Sequence, residues 1–410
     1  MKKSSLMIIC LAFLLVFSAG CKSGNDTGTG TGAKHAEEIK VWDYFTGKQQ
    51  ELYHELVEQY NRSQDRYKVV TEYIPFNEVK KQLSVGAAGN AMPDAVFLDN
   101  VDNASFAAMG VLEDLTEKID QWGQDDQFYE GPLSSAVYEE KYYGIPFASN
   151  ALALFYNKDL LKDAGISEPP ETWSDLKKAA KKTSKGQTKG FALSAVKSEE
   201  SAFQFYPFLL SSGADLKQLN SKEAASSLQF LTDLVKEGAM SKEVLNATQD
   251  DLARQFAAGQ LAMMINGSWN IERLKEAGHL NYGITYIPKD QTFASALGGE
   301  NIAVVKGKNT DGAWDFITWL IDPERLETLT VETGVFPPRK DLLESSSHWK
   351  TDDNLKAFIP IMEIASARGP SKDWPKISEA LQTALQEALS ESKTPKEALD
   401  EAAQKISALN

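Results

Sequence analysis

The chain has 410 residues, of which 42% are hydrophobic and 25% are charged, a composition typical of soluble proteins with an apolar core. This length exceeds the roughly 250–300 residues at which a single core usually stops growing, so we expect two lobes. The 58 acidic residues outnumber the 43 basic ones, and the formal net charge is −15. Because nucleic-acid binding needs a concentrated basic surface, we expect no nucleic-acid partner.

The N-terminal residues combine positive charge, a short apolar run and a cysteine. Two lysines precede the run Leu6–Phe17, which is too short to cross a membrane as an ordinary helix and is typical of an export signal. Small residues at 18–20 lead directly to Cys21, and this pattern resembles a bacterial lipoprotein signal, although Ser18 stands where Leu is usual. The resemblance implies lipidation of Cys21, with palmitate as the expected acyl group, and an anchor on the extracytoplasmic face of the cell membrane. The alternative is an ordinary secretory signal with a chance cysteine.

Cysteine usage agrees with the lipoprotein interpretation. The chain contains Cys10 and Cys21 and no other cysteine, so cleavage after residue 20 leaves one modified cysteine and no disulfide. Between residues 22 and 34 the one apolar side chain is Ala33. The sequence therefore predicts a signal peptide over 1–20 and a flexible tether over 21–36.

Beyond the tether, strands and amphipathic helices alternate. The first predicted strands are Ile39–Phe45, Tyr67–Ile74 and Ala95–Leu98, and the helices between them are Gln50–Tyr60 and Glu78–Ala88. This alternation favours an α/β fold with a parallel sheet covered by helices.

Helical patterns dominate the middle of the chain after about residue 160. Further predicted strands are Lys141–Ile145, Ala151–Tyr156, Gly190–Ser194, Ala262–Ile265, Tyr282–Ile287 and Ile302–Lys306. Further predicted helices are Trp173–Lys182, Glu223–Glu237, Asp250–Ala258, Asn270–Ala277, Gly312–Ile321, Pro323–Thr333 and one or two over Ile377–Ala408. Residues 146–150 are interpreted as a break between two strands.

Five short strings occur in an order that is specific to one family. They are Tyr143–Phe147 (YGIPF), Ala153–Leu161 (ALFYNKDLL), Pro169–Trp173 (PPETW), Met263–Trp269 (MMINGSW) and Tyr282–Ile284 (YGI) with Pro288 following. Together they resemble the extracellular solute-binding proteins of bacterial sugar ABC transporters (family 1, the maltose-binding-protein-like group). The resemblance extends from about residue 39 to 380.

This resemblance implies a two-lobed α/β fold of the periplasmic-binding-protein type, with a ligand cleft at the hinge between the lobes. The expected lobes are 37–149 plus 297–345 and 150–296 plus 346–410. The implied function is capture of a sugar, oligosaccharide or sugar derivative by hinge closure and delivery to the permease subunits of an ABC importer. We expect a monomer that is not an enzyme.

A sugar site needs aromatic rings to cover the C–H face of a sugar ring, and carboxylates or amides to pair with the hydroxyls. Trp269 follows a predicted strand and turn-forming residues, and its position in the family stacks on a sugar ring. The alternative role for Trp269 is packing at the start of a helix. Asn150 matches a position where the family has a ligand-contacting Glu, and its alternative role is that of an ordinary turn residue.

Residues after two predicted strands are further candidates. Asp99 and Asn100 follow the strand Ala95–Leu98, at the carboxyl end where open α/β sheets bind ligands. Tyr44 and Thr46 hold the analogous place after the first strand. Capping of a helix is the alternative role for Asp99 and Asn100.

The remaining ligand candidates come from later segments. Gly298 and Gly299 allow close approach of the backbone to a ligand, and Glu300 could accept its hydroxyls, although a plain hinge turn explains the glycines equally well. Phe203 and Gln204 align with a ligand-facing segment of the family.

The other tryptophans divide between contact and packing. Trp374 precedes a proline in the C-terminal region and is a candidate lid aromatic, with packing as the alternative. Trp42, Trp173, Trp314 and Trp319 are expected to pack in the interior or on helix faces.

Other chemistries find little support. The four histidines are scattered without metal-ligand spacing, and no G-x-S-x-G or phosphate-binding loop occurs. We therefore expect no metal and no cofactor. A surface glycoside hydrolase is the enzymatic alternative, with Asp99 and Glu300 as its carboxylate pair.

A different cargo for the same fold is the second alternative. A glycerol phosphodiester would call for Arg or Lys beside the cleft, and Lys48 is the nearest to the proposed loops. A polyamine would suit Asp99, Asp102 and Glu300.

Overall fold

The computed structural model describes residues 36–89 and 92–409. The predicted signal peptide, Cys21 and the tether up to residue 35 lie outside these ranges. Within them, no helix is long and apolar enough to cross a membrane.

The strands of the described residues are β1 (Glu37–Asp43), β2 (Tyr67–Tyr73), β3 (Ala95–Asp99), β4 (Val137–Tyr138), β5 (Lys141–Tyr142), β6 (Ile145–Asn157), β7 (Met263–Gly267), β8 (Tyr282–Thr285), β9 (Ser295–Val304) and β10 (Ala365–Ala367).

The α-helices are α1 (Gly47–Ser63), α2 (Phe76–Gly89), α3 (Asn103–Ala108), α4 (Thr116–Trp122), α5 (Glu130–Ser135), α6 (Lys158–Asp163), α7 (Trp173–Thr183), α8 (Glu199–Ser211), α9 (Lys222–Lys236), α10 (Gln249–Ala257), α11 (Ile271–Glu276), α12 (Thr310–Leu320), α13 (Pro323–Thr333), α14 (Lys340–Ser345), α15 (His348–Thr351), α16 (Asp353–Glu363), α17 (Trp374–Leu389) and α18 (Pro395–Ser407). Single 3-10 turns lie at Asn100–Asp102, Asp125–Gln127, Leu216–Gln218, Lys242–Leu245 and Ser268–Asn270.

Helix starts follow the capping chemistry of the sequence. Thr172 accepts a hydrogen bond from the Asp175 amide at the start of α7. Thr248 and Asp251 form a reciprocal capping box at the start of α10. Such caps satisfy backbone N–H groups that have no partner within the helix, and they fix where each helix begins. The cap of α10 bears on function, because that helix end faces the cleft described below.

The sheet is mixed rather than parallel throughout. β1 pairs in parallel with β2 and β3, as the alternating pattern predicts. β9, however, runs antiparallel to both β3 and β6. The strand order is β2-β1-β3-β9-β6-β7, with β8 paired to β6 and β10 paired to β9.

Two long strands run through both halves of this sheet. The first half of β6 pairs with β9, and its second half, from Leu152 to Asn157, pairs with β7 and β8. β9 pairs with β10 through residues 295–297 and with β3 through residues 300–304. The chain therefore crosses along β6 and returns along β9.

The apolar side chains form two large buried clusters and a smaller one. One large cluster collects residues from 151–296 and 336–402. The other collects residues from 39–148 and 302–342, and the smaller cluster packs on the opposite face of β1 and β3. Trp269 packs against both large clusters. The two segments of β6 and β9 near residues 149–150 and 298–300 lie where these clusters meet.

Most predicted elements are confirmed within a few residues of their ends, but three predictions are wrong. The supposed break at 146–150 lies inside β6, because its backbone pairs with β9 across a register irregularity near Pro146. Gly190–Ser194 makes one isolated bridge, from Ala192 to Met264, instead of a strand. The segment around Gly298–Glu300 belongs to β9 and is not a loop. The helix α8, which contains Pro207, was not predicted.

Candidate ligand-binding cleft

A cleft of about 300 Å³ lies where the crossing strands join the two large clusters. Its walls come from the turn after β1, the end of β3, the start of α2, the middle of β6 and β9, and the starts of α8 and α10. The side chains that line it are Tyr44, Thr46, Gln49, Tyr73, Pro75, Phe76, Asn77, Asp99, Asn150, Glu199, Glu200, Phe203, Thr248, Gln249, Asp250, Trp269, Gly298, Gly299, Glu300, Val335 and Arg368. Both halves of the sheet thus contribute to one site.

Nine of the twelve ligand-site residues predicted from the sequence line this cleft. They are Tyr44, Thr46, Asp99, Asn150, Phe203, Trp269, Gly298, Gly299 and Glu300. The structure brings these residues together, and their contacts with a ligand stay a prediction.

The other three lie behind the lining. Gln204 is fully buried, accepting from the Ser194 amide and donating to the Ile265 carbonyl, so its side chain holds α8 against the core. Trp374 is also fully buried and therefore cannot be a lid aromatic. Asn100 lies in the 3-10 turn after β3, and 6% of it is exposed.

Asn150 and Gly298 face each other across the two crossing strands. Asn150 is 6% exposed, and its Oδ1 has no hydrogen-bond partner. A Cβ at Gly298 would lie 2.3 Å from that oxygen and 2.8 Å from Cζ of Phe203. A side chain at residue 298 would therefore displace the Asn150 amide and the Phe203 ring from the space above the strand.

Glu300 is the next residue on the cleft side of β9. Its backbone pairs with Asp99 in β3 and with Ala148 in β6. The Oε2 atom is buried and has no hydrogen-bond partner. Burial, reinforced by the nearby carboxylate of Asp99, raises the pKa of Glu300 to about 8. Glu300 is thus mostly protonated at neutral pH in the empty cleft.

Aromatic rings form part of the wall on each side. Phe203 and Trp269 stack with ring centroids 6.4 Å apart and planes inclined by 21°. Across the cleft, Tyr44 packs edge-on against Phe76 at 5.2 Å. The Trp269 ring lies over Gly267, where a Cβ would overlap it. These rings provide apolar faces of the kind that cover the C–H face of a sugar.

Arg368, which follows β10, connects the two sides of the cleft. Its Nη2 donates to Asp99 at 3.1 Å, and its Nη1 donates to Glu199 on α8. The guanidinium carbon lies 4.1 Å from the ring centre of Phe203. Burial raises the pKa of Asp99, and the Arg368 charge acts against that shift. Arg368 thereby fixes a carboxylate and an aromatic ring that face the ligand space.

Lys80 on α2 extends this network on the outer side. Its Nζ lies 2.8 Å from Asp102 and 3.8 Å from Glu199. Burial disfavours its charge, but the two carboxylates outweigh that effect and raise the pKa of Lys80. Burial raises the pKa of Asp102 to about 7 despite the contact with Lys80. Glu199 also accepts a hydrogen bond from the indole N–H of Trp374, which gives this polar atom a partner inside the protein.

Glu200 makes a second connection between α2 and α8. It accepts from Asn77 at 3.1 Å, from the Gln249 amide at 2.7 Å and from Ser194 at 3.2 Å. Burial raises the pKa of Glu200. Glu199, Glu200, Asn77 and Arg368 were not predicted from the sequence, since nothing in their local pattern marks them as site residues.

The chemistry of this site is that of binding. Among the residues described, no group of three or more His, Cys, Asp or Glu side chains is arranged to hold a metal ion. The lining supplies aromatic faces, an amide and carboxylates that pair with hydroxyl or amine groups.

Comparison with known proteins agrees with this assignment. A family model described as bacterial extracellular solute-binding protein matches residues 55–357.

The chain belongs to the bacterial extracellular solute-binding protein family. Its members and structural neighbours are binding proteins rather than enzymes, so the glycoside-hydrolase alternative is wrong. The family resemblance noted from the five strings and the two-lobed fold are confirmed.

Several relatives match nearly the full length of the chain. A putative binding protein of Brucella abortus (strain 2308) is 26% identical, covering 82% of this chain and 84% of its own length. A galactooligosaccharide-binding protein of Bacillus subtilis (strain 168) is 24% identical, covering 98% and 96%. The sn-glycerol-3-phosphate-binding periplasmic protein of Escherichia coli (strain K12) is 26% identical, covering 91% and 92%.

Solved structures show the same fold. The ABC transporter solute-binding protein of Thermotoga lettingae, bound with α-D-tagatose, superposes with a TM-score of 0.85 at 25% identity and covers 91% of this chain and 99% of its own. The GacH receptor of Streptomyces glaucescens, solved without ligand and with acarbose, gives a TM-score of 0.83 at 25% identity and covers 91% and 98%.

Proposed function

We propose that this protein captures a sugar, an oligosaccharide or a sugar derivative in the cleft and delivers it to the permease subunits of an ABC importer. The observation that carries the proposal is that the cleft contains two kinds of group that a sugar needs. The rings of Phe203 and Trp269 stack in its wall. The buried oxygens Asn150 Oδ1 and Glu300 Oε2 have no hydrogen-bond partner. Buried polar atoms without partners are costly, and ligand hydroxyls would satisfy them. The oligosaccharide and sugar ligands in the names of two relatives support the same cargo.

Hinge closure is the proposed mechanism of capture. We assign lobe one to 37–149 plus 297–345 and lobe two to 150–296 plus 346–410, supported by the two large buried clusters and by the crossing of β6 and β9 between them. Ligand contacts from both lobes would favour the closed form. Moving the population from about 1:99 to 99:1 requires a differential affinity of ~5.5 kcal/mol.

The ligand class is tested by calorimetry and tryptophan fluorescence with a panel of mono-, di- and oligosaccharides. We expect stoichiometric binding of at least one saccharide, with no chemical change in the recovered ligand. Failure of every saccharide to bind while another solute class binds would contradict the proposal.

A phosphate ester is the second candidate cargo, favoured by the relative that binds sn-glycerol 3-phosphate. Arg368 is the one Arg or Lys among the lining residues that the structure describes, and Asp99 and Glu199 already engage it. A phosphate would therefore enter a cleft with excess negative charge and without a free cation to pair with. A sugar fits this lining better.

We further propose that the mature protein is a monomer anchored to the cell membrane by lipids, including palmitate, on Cys21. The export pattern over residues 1–21 and the extracellular family support this location. Two acyl chains would give stable anchoring. Cys21→Ser is expected to release the protein from membranes, with Cys10→Ser as the matched control that stays bound. Equal membrane retention of both variants would contradict lipidation at Cys21.

A further inference from the structure

Negative charge dominates the lining of the cleft. Its acidic members are Asp99, Glu199, Glu200, Asp250 and Glu300. Against these five carboxyl groups, one lining residue of the described chain, Arg368, carries a positive charge. The charge of the cleft therefore favours cationic over anionic ligands.

Three of the five carboxylates have a cationic partner within the protein. Asp99 and Glu199 both accept hydrogen bonds from Arg368. The Oδ2 atom of Asp250 lies 3.2 Å from Nη2 of Arg273, a residue that does not line the cleft. The charge of these groups is thus compensated before any ligand arrives.

The other two carboxyl groups differ from each other. Glu200 has no cation but accepts three hydrogen bonds, including those from Asn77 and the Gln249 amide. Glu300 has neither a cation nor a hydrogen-bond donor at Oε2. On the adjacent strand, the Oδ1 of the 6%-exposed Asn150 also has no donor. Two acceptors without donors therefore remain at the centre of the crossing strands.

We propose that the ligand is an amine-bearing saccharide whose ammonium group lies against Glu300 and the Oδ1 of Asn150. This inference rests on the sugar-binding function proposed above and specifies its substrate class. A hydroxyl could satisfy the amide oxygen of Asn150. A buried carboxyl next to Asp99 and without a counter-charge is satisfied better by an ammonium, which donates up to three hydrogen bonds and balances the charge.

Ligand binding is then coupled to proton release. With a pKa near 8, Glu300 holds a proton in the empty cleft at pH 7. An ammonium in contact with the carboxyl group favours the ionised form, so the proton leaves to the buffer as the ligand binds. One positive charge enters and one proton departs, and the charge of the cleft is unchanged. A neutral sugar would leave the proton in place.

The test compares three ligands that share one scaffold: cellobiose, the β-1,4-linked disaccharide of glucosamine, and its N-acetylated form. Calorimetry at pH 6, where both the ligand amine and Glu300 carry a proton before binding, measures affinity and protons released in two buffers of different ionisation enthalpy. We expect the aminated disaccharide to bind about tenfold more tightly than cellobiose, because hydrogen bonds to charged groups are stronger. We also expect release of a proton with the aminated ligand only.

Glu300→Gln preserves shape and removes the carboxyl group that ionises when the ligand binds, so it should abolish both the amine preference and the proton release while the empty protein still unfolds cooperatively. Glu117→Gln, on the exposed face of α4, makes the same carboxyl-to-amide change away from the cleft and should alter neither. Equal or tighter binding of cellobiose, or an amine preference that survives in Glu300→Gln, would overturn the inference and leave sugar binding standing. Spermidine is added as a fourth ligand, and its binding with no saccharide bound would overturn both proposals. No binding by any of the four ligands would overturn this inference alone.

Discussion

Removal of the Arg368 guanidinium tests whether the charge network joins the two sides of the cleft. The Arg368 side chain is 1% exposed, and its partners Asp99 and Glu199 are 9% and 7% exposed. Arg368→Met keeps much of the apolar packing against Phe203 but leaves Asp99 buried without its hydrogen-bonded cation and leaves Glu199 with only the more distant Lys80, at 3.8 Å. Breaking a buried ion pair in this way typically costs about 3–5 kcal/mol.

The measurement is the free energy of unfolding from urea denaturation at pH 7. The matched control is Arg66→Met, whose guanidinium is 64% exposed and pairs with Asp315 at the surface. Exposed pairs contribute about 0–1 kcal/mol, because water screens them. A difference of several kcal/mol between the two variants is therefore expected.

Two further results follow from the same reasoning. Adding Asp99→Asn and Glu199→Gln to Arg368→Met should recover part of the lost stability, because no buried charge is then left unpaired. Burial raises the pKa of Asp99, and loss of the Arg368 charge raises it further, so the deficit of Arg368→Met should also shrink as the pH falls and Asp99 becomes protonated. If Arg368→Met costs no more than Arg66→Met, the network does not stabilise this arrangement, and the argument fails.

Three other substitutions test the site and the core. Trp269→Ala should abolish ligand binding yet lower the free energy of unfolding less than Trp349→Ala does. Trp349→Ala removes a fully buried ring and should cost about 3–5 kcal/mol. An equal loss of stability in both variants would show that Trp269 is a core residue. Gly298→Ala should abolish binding while the protein still folds, because its Cβ would displace the Asn150 amide; unchanged affinity in a titration would refute this. Burial raises the pKa of Asp43 to about 6, above its unfolded value, so its ionisation destabilises the native state as pH rises from about 4 to 6. Asp43→Asn should remove up to about 3 kcal/mol of that fall, and parallel stability–pH profiles of the two proteins would contradict it.

The sequence predicts elements well where the local pattern decides the structure. The helix Pro323–Thr333 is found with the predicted ends, since Asp322 caps it and the proline occupies its first turn. α1 and β2 likewise follow from apolar periodicity and from β-branched content. In these segments local preference and tertiary packing agree.

The errors occur where tertiary contacts override local signals. Pro146 suggests a strand break, but β6 continues through a register irregularity because β9 supplies its backbone partners. The glycines at 298 and 299 suggest a turn, yet they are strand residues. Gly298 gives room to Asn150 and Phe203, and a Cβ at Gly299 would lie 2.2 Å from the carbonyl oxygen of Ala148. A single sequence shows the glycine but not the side chain that needs the space.

The residues of the candidate site also fall into two groups, those that a local sequence rule predicts and those that depend on tertiary contacts. Tyr44 and Asp99 follow strands, so the rule that ligands bind at the carboxyl ends of strands finds them. Arg368 follows the three-residue strand β10. Its hydrogen-bond partners Asp99 and Glu199 precede it in the sequence by 269 and 169 residues, respectively. Contacts at such separations depend on the crossing of the chain between lobes, which no local pattern encodes.

The cleft residues on the crossing strands β6 and β9 differ in role from those on the surrounding walls. Asn150 and Glu300 lie on β6 and β9, which pair with each other on both sides of these positions. They therefore stay close together whether the lobes are open or closed, and their contacts add affinity to both forms equally. In the proposed closure, Phe203 and Trp269 would reach the ligand from one lobe, and Tyr44 and Asp99 from the other. Since a ligand shifts an equilibrium only by its differential affinity for the two forms, these outer residues would drive closure, and the hinge residues would select what is bound.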